Sequence, residues 1–247
     1  MTSRAPGYCS GLMGARPELA AGQFDQFLAE VEAFELAVSK QRRPEADEYD
    51  DAYFLDEWRE GGNSYDLETR RRIEGRHPDL IKEVFDPVRV LDVGCGPGCL
   101  MYFLEELGVA ADGIDFSPSS RKLAPPEVRD RIAIGDVTEP HVEPRSYDLV
   151  LCREVLEHLT VLQVRQTVEQ LCRASSRFVY VTTRFHPAPA GLLDFTTDFE
   201  TDPTHVTLLA KSFLRVLFVL EGFRSRPDLE QRMDQAGKGR VLVYERA

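Results

Sequence analysis

Val90-Leu91-Asp92-Val93-Gly94-Cys95-Gly96-Pro97-Gly98 is the stretch on which the fold turns. An apolar run ends in an acid and then in three alternating glycines. That is the pattern of a buried strand leaving a sheet through a tight turn into a helix. Glycine lets the backbone turn sharply and lets a ligand approach with no Cβ in the way. The helix predicted from Gly98 to Leu107 would aim unpaired N–H groups and a positive dipole end at that ligand. A second strand, Ala111 to Phe116, carries Asp115 at its end, 21 residues after Gly94. At that distance a carboxylate can accept hydrogen bonds from ribose hydroxyls.

Working outward, strands and helices alternate. Val88–Val93, Ala111–Phe116, Arg131–Gly135, Tyr147–Cys152, Arg177–Thr183 and Arg240–Tyr244 read as strands, and Glu154–Arg173 and Lys211–Glu221 as helices. Runs such as Leu149-Val150-Leu151 suit strands covered on both faces. The fold class is therefore α/β, a doubly wound and mostly parallel sheet. Only about eleven residues, with Pro140 and Pro144 among them, join the third and fourth strands, too few for a full helix. Residues 1–22 read as a flexible leader and 23–80 as a helical cap or lid. That cap has an amphipathic segment from Gln23 to Lys40 and a second helix over Ser64–Glu74. Residues 81–247 form the main domain.

The 247 residues carry 30 basic and 42 acidic side chains, a formal charge of −12. At roughly 150 residues per domain this is one large domain or one with an appendage. The acidic balance argues against nucleic acid as a partner, since phosphate binding needs a basic footprint. Arg70-Arg71-Arg72 is the densest basic run and reads as a solvated face. No apolar stretch approaches the ~18 residues of a membrane span, and no secretory stretch opens the chain. Five cysteines (Cys9, Cys95, Cys99, Cys152, Cys172) without C-x-x-C spacing fit reduced thiols and a cytoplasmic setting. Oligomeric state leaves no mark in the sequence.

Two details separate the turn from a nicotinamide or flavin site. The dinucleotide pattern G-x-G-x-x-G would need its third glycine at Cys99, whereas here it is Gly98. Asp92, just before the loop, suits a cationic ligand better than a pyrophosphate. A ligand with an adenosine, an amino-acid ammonium and a sulfonium has that polarity.

Four motifs in order then resemble the class I S-adenosylmethionine-dependent methyltransferases, over roughly residues 85–245. Leu91–Gly98 is similar to the first and Ile114-Asp115-Phe116-Ser117 to the second. Gly135-Asp136-Val137 is similar to the third, and Tyr147–Cys152 with Arg153–Leu159 to the fourth and its trailing segment. The resemblance implies a Rossmann-like seven-stranded sheet and S-adenosylmethionine as cofactor. It places Asp92, Gly94, Cys95, Gly96 and Gly98 around the cofactor, Asp115 on the ribose and Phe116 beside it. Asp136 would meet the adenine amine, Val137 the ring face, and Arg153 would lie at the end of the fourth strand.

Glu154, Glu157 and His158 are spaced i, i+3, i+4 and would share one helix face at the carboxyl end of the fourth strand. Two carboxylates and an imidazole make a candidate site for Mg²⁺, Mn²⁺ or Zn²⁺, with His205 as a fourth ligand. Glu-x-x-Glu-His with a later histidine is similar to the ubiquinone-pathway catechol O-methyltransferases and the small-RNA 3′-terminal 2′-O-methyltransferases. In those families the four side chains hold a metal that binds adjacent hydroxyls. Such an ion lowers the pKa of a bound hydroxyl. The alternative reading is structural, with Glu154 favouring a helix N-terminus and His158 bracing the sheet; His158 or His205 would then be the candidate general base. His186 is a lesser candidate for the acceptor loop. His77 reads as structural and Cys95 and Cys99 as small core residues; Tyr53 and Trp58 could close over cofactor and acceptor, but aromatics on a short helix are more often packing residues.

The expectation is a methyltransferase acting on a small hydroxylated metabolite, natural-product or sugar-like, by O-methylation with Glu154, His158 and His205 as catalytic candidates. An N-methyltransferase on a small amine, an NAD-dependent oxidoreductase and a non-catalytic methyltransferase-like subunit are the alternatives.

Overall fold

The computed structural model describes residues 21–55, 62–187 and 202–247. The predicted leader up to Ala20, with Cys9, and the aromatic Trp58 lie outside the described residues. The chain forms two compact units, Met1–Lys40 and Gln41–Ala247. The first contributes α1 (Ala21–Lys40). Val31, Phe34 and Val38 lie on its half-buried side while Glu32 and Glu35 are exposed, the division that the 3.6-residue period predicts.

The second unit holds a seven-stranded sheet in the order β3-β2-β1-β4-β5-β7-β6. The strands are β1 (Arg89–Val93), β2 (Ala110–Asp115), β3 (Ile132–Ile134), β4 (Tyr147–Arg153), β5 (Ser175–Thr182), β6 (Phe223–Ser225) and β7 (Val241–Arg246). β1 pairs in parallel with β2 and β4, β2 with β3, and β4 with β5. β7 runs antiparallel to both its neighbours, β5 and β6. Strand order reverses between β1 and β4, and in such sheets the crevice beyond the strand ends at that point binds ligands. Val93 faces both Ile114 and Cys152 in register, so Gly94, Asp115 and Arg153 emerge side by side.

One face of the sheet is covered by α4 (His77–Phe85), α5 (Cys99–Glu106) and α10 (Pro227–Met233). Ile81, Phe85, Met101 and Leu104 pack there on Leu149, Leu151, Tyr180 and Val243. On the other face lie α8 (Val161–Ala174) and α9 (Lys211–Leu220), whose Phe218 stacks on Tyr244 with ring centroids 3.9 Å apart. The short helices α2 (Asp51–Phe54), α3 (Leu67–Glu74), α6 (Pro118–Leu123) and α7 (Pro126–Arg129) complete the unit. No helix spans residues 135–146, as the short connection predicts. No described helix is long and apolar enough to cross a membrane.

Glu154–Arg173 is not a single helix. Glu154 takes a left-handed φ of 52°, and its amide donates to Thr182 O at 2.8 Å. A 3-10 turn follows over Leu156–His158. α8 begins only after Thr160, where Thr160 and Gln163 cap each other reciprocally. Glu154, Glu157 and His158 therefore do not share a regular helix face. The Arg70–Arg72 run is also not uniformly solvated: Arg70 lies against Tyr65 and pairs with buried Glu74, while Arg71 and Arg72 are exposed.

Candidate functional site

The glycine turn is fastened to the next strand. The amides of Gly94 and Cys95 both donate to Ile114 O, at 2.8 and 3.2 Å. Gly94 sits at φ 74°, and a Cβ there would meet Val155 Cγ2 at 2.2 Å, so the position requires glycine. Asp115 closes the arrangement: its Oδ2 accepts the Gly96 amide at 2.8 Å and its Oδ1 the Ser117 amide at 2.9 Å. Burial pushes the Asp115 carboxyl up to about 6 against those hydrogen bonds. Asp92 is buried behind the turn; burial pushes it up to about 7, outweighing the attraction of Arg153.

Beyond the strand ends lies a cavity that opens to solvent. Gly94, Gly96 and Asp115 lie at the sheet end of its lining, with Phe116 and Val137. Tyr49, Tyr53, Phe54 and Tyr65 give it an aromatic wall, and Arg153, Glu154 and His158 give it polar edges. Cys95 lines a neighbouring cavity of about 440 Å³ with Asp92, Arg70 and Glu74. Gly98 lines neither; a Cβ there would press on Ile132 and Val128, so its role is close packing. Asp136 also stands outside the large cavity. Its Oδ2 accepts Arg43 at 2.5 Å and its Oδ1 accepts the Thr138 amide and hydroxyl. The Arg43 guanidinium in turn lies 4.4 Å over the Phe116 ring.

Arg153 is held by an ion pair. Glu74 accepts Arg153 at 2.9 Å, Arg70 at 2.8 Å and His77 Nδ1 at 3.1 Å, and His77 Nε2 meets the Tyr180 hydroxyl at 2.9 Å. Burial would raise the Glu74 carboxyl, but Arg153, His77 and Arg70 together hold it well below the usual range. His77 is thus a structural residue, as its sequence position suggests.

A cluster of possible metal-binding atoms sits at the polar edge. One ligand atom each from Glu157, His158 and His205 lies within 4.8 Å of the others. The loop carrying His205 is docked by the Val206 and Thr207 amides, which donate to Glu157 O at 2.7 and 3.1 Å. Glu157 is fully buried; its Oε2 accepts the Thr183 hydroxyl at 2.7 Å, and its Oε1 has no hydrogen-bond partner among the described residues. Burial, then the neighbouring Glu154, drives the Glu157 carboxyl far up. Burial and the adjacent His205 hold His158 down to about 4, so it is neutral at pH 7. Glu154 stands outside the three-residue cluster, with its carboxylate 3.9 Å from Arg240. His186 is tied by its amide to Leu209 O and does not line the large cavity.

A family model described as a methyltransferase domain matches residues 65–237. The chain belongs to that family. Among curated proteins this methyltransferase-family chain is similar to a ubiquinone biosynthesis O-methyltransferase of Paracidovorax citrulli. The two are 36% identical over 80 residues, 29% of this chain and 33% of the relative. The chain thus matches about a third of the length of that relative. Among solved structures it resembles a SAM-dependent methyltransferase of Archaeoglobus fulgidus, with TM-score 0.56 and 15% identity over 72% of this chain and 94% of that one. It also resembles the magnesium protoporphyrin IX methyltransferase of Synechocystis PCC 6803 with bound SAH, with TM-score 0.55 and 18% identity over 81% and 97%. At those identities the likeness concerns the fold, and the sheet, class I and Rossmann-like, is the one the glycine turn predicts.

Several residues of the methyltransferase site had no signal in the sequence. Gln41 donates to Val206 O and Thr207 Oγ1, at 2.9 and 2.6 Å, and accepts the Val161 amide at 2.9 Å. Arg43 and Glu74 likewise meet partners 93 and 79 positions away.

Proposed function

We propose that the protein transfers the methyl group of S-adenosylmethionine to a hydroxyl oxygen of a small acceptor. The observation that carries this reading is the half-buried His158 beside Tyr49, Tyr53 and Phe54 in the lining of the cavity that begins at the glycine turn and Asp115. Asp115 would accept the ribose hydroxyls, and Phe116 and Val137 would flank the base. The acidic surroundings of Asp92, Asp115 and Glu74 suit a cofactor bearing an ammonium and a sulfonium. Tyr49, Tyr53, Phe54 and Tyr65 would line the acceptor side and exclude water. Burial pushes both Tyr49 and Tyr53 above the usual phenol range, so they stay neutral.

The reaction is an in-line displacement. The acceptor oxygen attacks the methyl carbon, the C–O bond forms as the C–S bond breaks, and S-adenosylhomocysteine leaves. His158 Nε2 takes the hydroxyl proton. Holding the two reactants in line supplies much of the acceleration.

The residues present also fit a divalent ion: ligand atoms of Glu157, His158 and His205 lie within 4.8 Å of one another, and Glu157 Oε1 is buried with no hydrogen-bond partner among the described residues. Glu157, His158 and His205 would hold it, with Glu154 near enough to adjust. When bound, such an ion lowers the pKa of a coordinated hydroxyl. The ubiquinone O-methyltransferase relatives support a hydroxylated acceptor.

The test is methyl transfer from radiolabelled S-adenosylmethionine to a catechol, a monophenol and an arylamine, with and without chelator. Transfer to the catechol, lost in His158→Gln and reduced by chelation, is expected. Transfer confined to the amine and indifferent to both changes would replace this reading by N-methylation.

A further inference from the structure

We infer that Asp202 and Thr204 fix the His158 imidazole with its proton on Nδ1, leaving the Nε2 lone pair for the acceptor hydroxyl or a divalent ion. The inference deepens the reading above and rests on it for the use to which Nε2 is put. The geometry of the relay stands apart from that use.

Thr204 Oγ1 has one hydrogen and two lone pairs. Its hydrogen goes to Asp202 Oδ1, 2.6 Å away, because a carboxylate only accepts. The Thr204 amide donates to the same Oδ1 at 3.0 Å and pins the carboxylate in place. With its hydrogen committed, Oγ1 can only accept from His158 Nδ1, at 3.0 Å. The opposite arrangement, with the hydroxyl donating to Nδ1, would set a hydroxyl lone pair against a carboxylate oxygen at 2.6 Å with no proton between them. A neutral imidazole has one ring proton, so Nε2 is bare.

The frame around the relay is built to hold it. Asp202 and Thr204 are 8% and 6% exposed. The His205 amide donates to Asp202 O at 3.2 Å, which closes the turn. The next two residues are anchored on one side by Glu157 O and on the other by Gln41. Partners that orient a ligating or proton-accepting imidazole commonly change metal affinity 10–100-fold when removed. Asp202 and Thr204 act through His158 and are positioning residues.

The test is long-range ¹H–¹⁵N correlation NMR of the ¹⁵N-labelled, metal-free full chain at neutral pH, with His158 assigned by its loss in His158→Gln. Mn²⁺ affinity by titration calorimetry is measured alongside. The wild type should show His158 protonated at Nδ1. Thr204→Val should lose that signature and bind Mn²⁺ on the order of 10–100-fold more weakly, and Thr204→Ser should restore both. A wild-type His158 protonated at Nε2, or imidazole shifts unchanged in Thr204→Val, would overturn the relay. If Thr204→Val does not fold, the wild-type spectrum alone decides. If the Nδ1 signature is present and depends on Thr204 while Mn²⁺ fails to bind, the relay stands and the metal reading falls.

Discussion

The Gly96 amide donates to Asp115 Oδ2 over 2.8 Å, tying the turn after β1 to the acid that ends β2. The same carboxylate lines the cavity, so the side chain that shapes the turn is also the one proposed to accept the ribose hydroxyls. That coupling makes the site's stability and its binding separable only by experiments that change one contact at a time.

Gly94→Ala should damage the turn directly. The new Cβ would lie 2.2 Å from Val155 Cγ2, at a φ of 74° that L-residues rarely adopt. Left-handed strain and overpacking together should cost about 2–4 kcal/mol. Gly108→Ala, with φ 76° but nothing within 4 Å, should cost only the strain, about 1–2 kcal/mol. Urea denaturation of the two variants checks the difference, and equal losses would mean that the Val155 contact relaxes freely.

Glu74→Gln should destabilise strongly, since it leaves Arg70 and Arg153 facing a neutral amide in a buried setting; removing one partner of a buried ion pair costs about 3–5 kcal/mol. The Glu74 carboxyl is depressed in the folded state. Its contribution is therefore present above the unfolded pKa of about 4.3, and is lost as pH falls through the lower folded value. Acid unfolding curves below about pH 4 should be steeper for the wild type than for Glu74→Gln.

Asp115 works in the opposite sense. Its folded pKa, about 6, is raised above an unfolded value of about 3.9. The folded state then binds more protons in that window, so the ligand-free protein should lose stability as pH rises from about 4 to 6. Asp115→Asn should flatten that slope. Affinity for S-adenosylhomocysteine should rise over the same window, because the charged carboxylate is the better acceptor for ribose hydroxyls. Thermal melts and calorimetry across that range check both signs.

The parts of the fold legible in the sequence are those governed by local rules. Gly94 and Gly96 occupy left-handed positions that few other residues tolerate, and the buried strands read as continuous apolar runs. Glu154–His158 misled because residue spacing assumes a helix. Glu154 instead takes a left-handed bend, and the Thr160-x-x-Gln163 capping box, readable in principle, marks where α8 begins. β6 and α10 are three and seven residues long, too short for a periodic signal, although Pro227 marks the start of α10. Arg43, Gln41 and Glu74 reach the site through contacts with residues far along the chain, which no local pattern encodes. His158 and His205, read as ligands of one ion, stand with their rings 4.7 Å apart. Asp202 and Thr204, which orient His158, carried no signal.

Titration calorimetry of S-adenosylhomocysteine into the wild type and Asp115→Ala, with circular dichroism to verify folding, tests the central claim most directly. Saturable one-to-one binding by the wild type, lost or weakened at least tenfold in a folded Asp115→Ala, is the predicted result. No binding by the wild type, or equal affinity in the two proteins, would contradict it.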